Sequence, residues 1–138
     1  MTPPLVSVLL ISWNTREETR RCLESLAHTD VAYEVIAVDN ASRDGSAEVL
    51  AADASVTLIR NPSNVGFAAA VNQAYRVARG ELILLLNSDV VFHTGTLARM
   101  VTFLAEHPDA AGVSPLYLNP DGSFQQHYVQ QPLSLIHI

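Results

Sequence analysis

Lysine is missing from this sequence, and cysteine and tryptophan occur once each. All eight basic residues are arginine. No side chain can therefore form a Schiff base with a carbonyl or act as the lysine of a phosphate-binding loop. A single cysteine, Cys22, excludes a disulfide framework and a thiolate metal cluster. It falls on an apolar helical stripe and is expected in the core. Positive charge is short overall: the formal net charge is −6 over 138 residues, which argues against a nucleic-acid partner. An acidic protein can still hold a diphosphate where a metal ion and backbone N–H groups supply the positive field. Long apolar runs are lacking too. The longest, Leu5–Ile11, is far shorter than a membrane span. The Met1-Thr2-Pro3-Pro4 start has no basic flank and is not read as a secretory signal. A cytoplasmic location is expected. G-x-G-x-x-G, G-x-x-x-x-G-K, H-E-x-x-H and C-x-x-C are all absent, which disfavours a dinucleotide fold, a P-loop and the common zinc sites. His28, His93 and His107 read as helix-end or loop residues.

What is present is a set of short runs rich in Val, Ile and Leu: Leu5–Ile11, Val35–Val38, Val56–Ile59 and Leu82–Leu86. They mostly lack alternation, the mark of strands buried on both faces of a parallel sheet. Helical patterns lie between them. Thr15-Arg16-Glu17-Glu18 reads as a capping box opening a helix with Thr19, Cys22, Leu23 and Leu26 on one face. Ser46–Ala52 is a second helix. Phe67, Val71, Ala74, Tyr75 and Ala78 form the inward stripe of a third, with Gly80 as its C-terminal cap. Thr94 is expected to cap a fourth, carrying Leu97, Met100, Val101 and Leu104 and stopped by His107-Pro108. A fifth strand, Ala111–Leu116, and a turn at Asn119-Pro120-Asp121-Gly122 follow. The order β-α-β-α-β-α-β-α-β predicts an α/β fold, a three-layer α/β/α sandwich around a mostly parallel sheet.

Ligands of open parallel sheets bind beyond the carboxyl ends of the strands. Those ends deliver Ser12-Trp13-Asn14, Asp39-Asn40, Arg60-Asn61 leading to Asn64 and Gly66, and Asn87-Ser88-Asp89. Asn, Asp and Ser are also common turn and cap residues, the reading preferred for Asn61, Asp44 and Ser46. Asp39 and Asp89 differ, because each directly follows an apolar strand where a carboxylate needs a partner.

At this point the residues resemble a known family. Val6-Ser7-Val8 through Ser12-Trp13-Asn14 looks like the opening of the family 2 (GT-A fold) glycosyltransferases. Val38-Asp39-Asn40-Ala41-Ser42-Arg43-Asp44-Gly45-Ser46 is similar to the family's second-strand motif. Asn61-Pro62-Ser63-Asn64-Val65-Gly66-Phe67-Ala68 with Asn72 is similar to its third, and Gly80-Glu81 through Asn87-Ser88-Asp89 to its metal-site strand. The resemblance runs from about Val6 to Pro132 and is nearest to a rhamnosyltransferase-like branch. It implies a donor site made of Ser12, Trp13, Asn14, Asp39, Asn40, Asn64, Gly66, Asn72 and Asn87. Trp13, where the family usually has Tyr, would pack on the nucleotide base. Asp39 would accept a hydrogen bond from base or ribose. Asn64, Gly66 and Asn72 would shape the sugar-phosphate cleft, with Gly66 allowing close backbone approach. Asn72 reads equally as a plain helix-surface residue. Asn87-Ser88-Asp89 corresponds to the D-x-D motif in its N-x-D form, with Asp89 holding Mg²⁺ or Mn²⁺ against the diphosphate.

The implied activity is inverting, metal-assisted hexosyl transfer from a nucleotide-diphosphate sugar, dTDP-rhamnose being one candidate. The acceptor would be a glycan or a lipid-linked acceptor, with peripheral association at the inner face of the membrane. The alternatives are a non-catalytic nucleotide-sugar-binding module and a nucleotidyltransferase; Ser12-Trp13-Asn14-Thr15 lacks the Gly-rich, basic loop of the latter. Inverting transfer needs a base for the acceptor hydroxyl, and neither Asp109 nor Asp121 matches the family's base motif. The domain is therefore expected to be incomplete, spanning residues 1–132, and inactive alone. One permitted codon set for Leu133-Ser134-Leu135-Ile136-His137-Ile138, CTG TCT CTT ATA CAC ATC, resembles a transposon end used in DNA library preparation. Residues 133–138 are expected to be a non-native tail, the alternative being a genuine apolar strand.

Overall fold

A computed structural model describes residues 5–29 and 31–125. The chain divides into two compact units, Met1–Arg99 and Met100–Ile138. The Pro132 boundary and the 133–138 tail lie outside the described residues.

The first unit holds four strands, β1 (Val6–Ser12), β2 (Tyr33–Asp39), β3 (Val56–Arg60) and β4 (Leu82–Asn87). They alternate with α1 (Arg16–Leu26), α2 (Ser46–Ala52) and α3 (Phe67–Tyr75). All four strands are parallel, in the order β3-β2-β1-β4. Every residue of β1 is buried, as a central strand of continuous apolar character should be. Leu9, Ile11, Ile36 and Val38 face α3 and pack on Ala70 and Ala74, with Ile59, Val71 and Ala78 at the margin. The alanines let α3 approach the sheet closely. On the opposite face Ser12 meets Thr19 of α1, and α2 lies against β2 and β3. The three-layer α/β arrangement matches the expectation.

Several local expectations do not hold. Among the described residues the sheet has four strands, and 111–117, where a fifth was expected over Ala111–Leu116, forms none. Gly112 weakens strand propensity there, and Pro115 has no N–H to give a ladder. The inward stripe of α3 is Ala70 and Ala74, whereas Phe67 and Tyr75 are exposed. Gly80 is not a helix cap. Its N–H donates to Ser7 Oγ at 2.8 Å, and a Cβ there would lie 2.5 Å from the Ser7 nitrogen; closeness to β1 is what requires glycine. The helix α4 (Thr96–Glu106) starts two residues beyond Thr94, after Gly95 at φ 79°, with Leu97 buried.

The capping box at Thr15 is also absent: its side chain makes no capping bond. The N–H of Arg16 instead donates to Asp44 Oδ2 at 2.9 Å, and that of Thr15 to Ser46 Oγ at 3.0 Å. A carboxylate far along the chain thus sits at the positive end of α1. Asn14, at φ 53°, completes the junction by accepting from the N–H of Arg43 and donating its own N–H to Ser42 Oγ. Asp44 and Ser46 are the structural turn residues the sequence indicated.

In the second unit, the rings of Phe103 and His107 lie 4.2 Å apart, one helical turn from each other. The turn at Asn119–Gly122 forms as expected, with the Gly122 N–H on the Asn119 carbonyl and Gly122 at φ 81°. It is closed by an isolated antiparallel bridge between Leu118 and Phe124. Among the described residues, no helix is long and apolar enough to cross a membrane.

Candidate functional site

The strand order places the site. The chain steps from β1 outward to β2 and β3, then returns to lay β4 on the other side of β1. Loops leaving β1 and β4 therefore diverge at a topological switch point, where open α/β sheets bind ligands. A cleft of about 350 Å³ opens there. Trp13 and Thr15 line it from β1, Asn40 from β2, and Asn87, Ser88 and Asp89 from β4. The β3–α3 loop adds Asn64, Gly66 and Phe67. Its size suits a small-molecule ligand. By contrast, a hollow of about 10 Å³ beside His28, Thr29 and His93 has room for one water.

Trp13 is 56% exposed and offers a free indole face. Asn64 Oδ1 accepts the Gly66 N–H at 2.9 Å, bending the loop tightly. Gly66 itself adopts φ 83° and ψ 165°, a region open essentially to glycine alone. A Cβ there would meet nothing within 4 Å, so conformation rather than crowding explains this glycine. Asn87 and Asp89 are exposed while Ser88 between them is buried.

Four of the expected donor residues lie off the cleft wall. Ser12 is fully buried and its hydroxyl pairs with Thr15 and Thr19. Asn14 is spent on the junction of the first two loops. Asn72 is exposed on α3. Asp39 is buried; its Oδ2 accepts the Ser42 N–H at 2.9 Å, and Oδ1 has no partner among the described residues. A buried carboxylate oxygen without a donor is costly, and an N–H or O–H group from a ligand would relieve it.

Other residues of the region escaped sequence reasoning. Phe67 stands at the first position of α3 with its ring 52% exposed on the cleft; its place directly after Gly66 was the available signal. Asn61 and Gln73 exchange two amide hydrogen bonds, and Asn61 Nδ2 also donates to Asn40 Oδ1 at 2.9 Å. This buried chain fixes the rotamer of Asn40 at the cleft. No sequence spacing announces it. Burial next to Asp89 pushes the Cys22 thiol up to about 12, so Cys22 is an inert core residue, as expected.

Residues 7–136 match the profile described as Glycosyl transferase family 2. The succinoglycan biosynthesis protein ExoO of Rhizobium meliloti (strain 1021) is 36% identical over 112 residues, which cover 79% of this chain and 31% of ExoO. Among solved structures, the mannosyltransferase PcManGT from Pyrobaculum calidifontis, in complex with GDP-Man and Mn²⁺, superposes with a TM-score of 0.69 at 29% identity. The match covers 76% of this chain and 33% of that one. TarS 1-349 of S. aureus gives 0.67 at 26% identity, over 75% of this chain and 33% of its own. This chain thus spans about a third of the length of these relatives. It belongs to glycosyl transferase family 2 and has the GT-A fold.

Proposed function

We propose that this chain forms the nucleotide-sugar-binding part of a polysaccharide-building glycosyltransferase, and that the cleft at the β1/β4 switch point receives the donor. The observation that carries this reading is the placement of Trp13 and Asp89 on one cleft, delivered by the two strands flanking the switch. The indole would take the nucleotide base by stacking. The orphaned Oδ1 of Asp39 would accept a hydrogen bond from base or ribose. Asn40 and Asn64 would bond donor oxygens, and Phe67 would wall the sugar.

The donors fit a divalent cation only in company. Asp89 is a hard oxygen ligand, but the described residues hold no group of three His, Cys, Asp or Glu that could cage a metal. Mg²⁺ and Mn²⁺ accept one or two carboxylates plus phosphate and water oxygens, so the diphosphate would complete the shell. When bound, the cation supplies Lewis-acid stabilisation of the leaving diphosphate. PcManGT, with GDP-Man and Mn²⁺, supports this pairing of donor and metal.

In inverting transfer the acceptor oxygen bonds the anomeric carbon, the bond to the diphosphate breaks, and the acceptor proton passes to a base. Among the described residues Asp89 is the only carboxylate lining the cleft, and it is assigned to the metal. Asp121 Oδ1 already accepts both the N–H and the hydroxyl of Ser123. The chain alone is therefore read as donor-binding and not transferring. The same observation favours a second reading, a nucleotide-sugar-binding module without catalysis. The N-x-D form of Asn87-Ser88-Asp89 supports a rhamnosyl-type donor such as dTDP-rhamnose. A glycan or lipid-linked acceptor at the inner face of the cytoplasmic membrane completes the proposal.

Titration with UDP, GDP and dTDP, with and without Mn²⁺, tests the donor site. At least one nucleotide should bind more tightly with Mn²⁺, and Asp89→Ala should abolish that gain. Equal affinities with and without the cation for all three would overturn the metal role. Transfer of sugar by the chain itself would refute the donor-binding-only reading.

A further inference from the structure

Thr15 stands where a helix-capping hydroxyl is expected, yet its hydroxyl caps nothing. Asp44 and Ser46 already serve the first N–H groups of the turn into α1. The Thr15 hydroxyl is thereby free, and it turns across the sheet to Ser88. The two oxygens lie 2.7 Å apart. Ser12 and Thr19 hydroxyls, each 3.2 Å from Thr15 Oγ1, back it from below. Ser88 is 5% exposed and is the buried residue between exposed Asn87 and Asp89.

From this we infer that Thr15 is a positioning residue for the metal-binding turn, holding Asp89 in the cleft through the Ser88 hydroxyl. The inference rests on the donor-site reading above. Its physics is the cost of a buried, unpaired hydroxyl. Without the Thr15 oxygen, Ser88 Oγ keeps no hydrogen-bond partner among the described residues, and at 5% exposure Ser88 meets little solvent. The relief is outward rotation of Ser88, which displaces its neighbours Asn87 and Asp89. Groups that orient a metal ligand typically govern metal affinity by tenfold or more.

Thr15→Val removes the hydroxyl at constant shape; Thr15→Ser keeps it. Two readouts apply. The first is ligand-free amide hydrogen exchange at Ser88 and Asp89. The second is the gain in affinity that Mn²⁺ gives to whichever of UDP, GDP and dTDP binds best, with Mn²⁺ relaxation enhancement as the spectroscopic signature. We expect faster exchange and a roughly tenfold smaller Mn²⁺ gain in Thr15→Val, and restoration of both readouts in Thr15→Ser. Should Thr15→Val fail to fold, Thr15→Ala, which leaves the Ser88 hydroxyl equally unpaired without any added bulk, is measured against Thr15→Ser with the same expectation for the Mn²⁺ gain. A full Mn²⁺ gain in the hydroxyl-less variant, with or without faster exchange, overturns the positioning role and leaves the donor site standing. A wild-type chain that gains nothing from Mn²⁺ overturns the donor-site reading and this inference together, a different result from the first.

Discussion

Asp44 Oδ2 accepts the backbone N–H of Arg16 at 2.9 Å, so the first turn of α1 is capped by a residue on the next loop. Ser46, whose hydroxyl and N–H both bond Asp44 Oδ1, holds that carboxylate below the usual range, aided by the Arg16 N–H. Asp44→Ala should cost about 1 kcal/mol, a typical loss for a capping residue, measured by urea denaturation. An unchanged midpoint would show that the junction does not depend on the carboxylate.

A second carboxylate gives stability a pH dependence. The Glu34 side chain is 11% exposed, and burial pushes its pKa up, but hydrogen bonds from the Ser7 hydroxyl and the Arg79 side chain and N–H, with the Arg79 charge, outweigh burial and hold it low. A depressed folded pKa means the unfolded chain takes up the proton first. The contribution is complete above the ordinary carboxylate range and drains away as pH falls through the folded value. Glu34→Gln should therefore lose roughly 2 kcal/mol at neutral pH. The gap from wild type should narrow in acid, and urea melts at about pH 7 and about pH 3 would check this. A gap that stays constant would mean the charge is irrelevant.

The two special glycines should fail differently. Gly80→Ala meets backbone, with 2.5 Å to the Ser7 nitrogen, and β1 cannot move; a loss of at least about 1–3 kcal/mol is expected from such overpacking. Gly66→Ala meets nothing but must hold φ 83° and ψ 165°, at a cost of about 1–3 kcal/mol in strain. Only the second should reshape the cleft. Thermal melts together with nucleotide titration separate them, and a Gly66→Ala protein with full nucleotide affinity would contradict the role given to this loop.

Trp13 is the single tryptophan and lines the cleft. Its fluorescence should change when nucleotide stacks on the indole, and Trp13→Ala should weaken binding by about tenfold, the worth of one aromatic stacking contact. Saturable binding with a silent tryptophan would place the base elsewhere.

Cys22, buried and with its thiol raised to about 12, should resist alkylation at neutral pH until the chain is unfolded. Fast labelling of the native protein would mean that α1 opens readily.

Sequence and structure agree where a single local pattern decides. The four Val/Ile/Leu runs became the four strands. Burial on both faces accounts for the unbroken apolar run in β1 and most of β2, but not in β4, where Ile83 and Leu85 are exposed, nor in β3, where Thr57 is exposed. Trp13, Asn40, Asn64, Gly66, Asn87 and Asp89 reached one cleft because strand ends of a parallel sheet share an edge. What stayed hidden depends on pairs far apart in the chain. Asp44 replaces the Thr15 cap, Thr15 meets Ser88, and Gln73 reaches Asn40 through Asn61. The 111–116 run misled because its apolar residues carry Gly112 and Pro115, which periodicity ignores.

The central place of β1 also sets a timetable. During synthesis, β1 can pair with β2, and β2 with β3, as soon as they emerge. Val6 and its neighbours must keep their other row of peptide groups open until Leu82 and the rest of β4 arrive, and closing so long a loop is the slow kind of contact. Nascent chains stalled before and after β4 should therefore differ sharply in nucleotide capture. The walls bearing Trp13 and Asp89 come together only in that closing step, so an incomplete chain on the ribosome stays unable to sequester the donor.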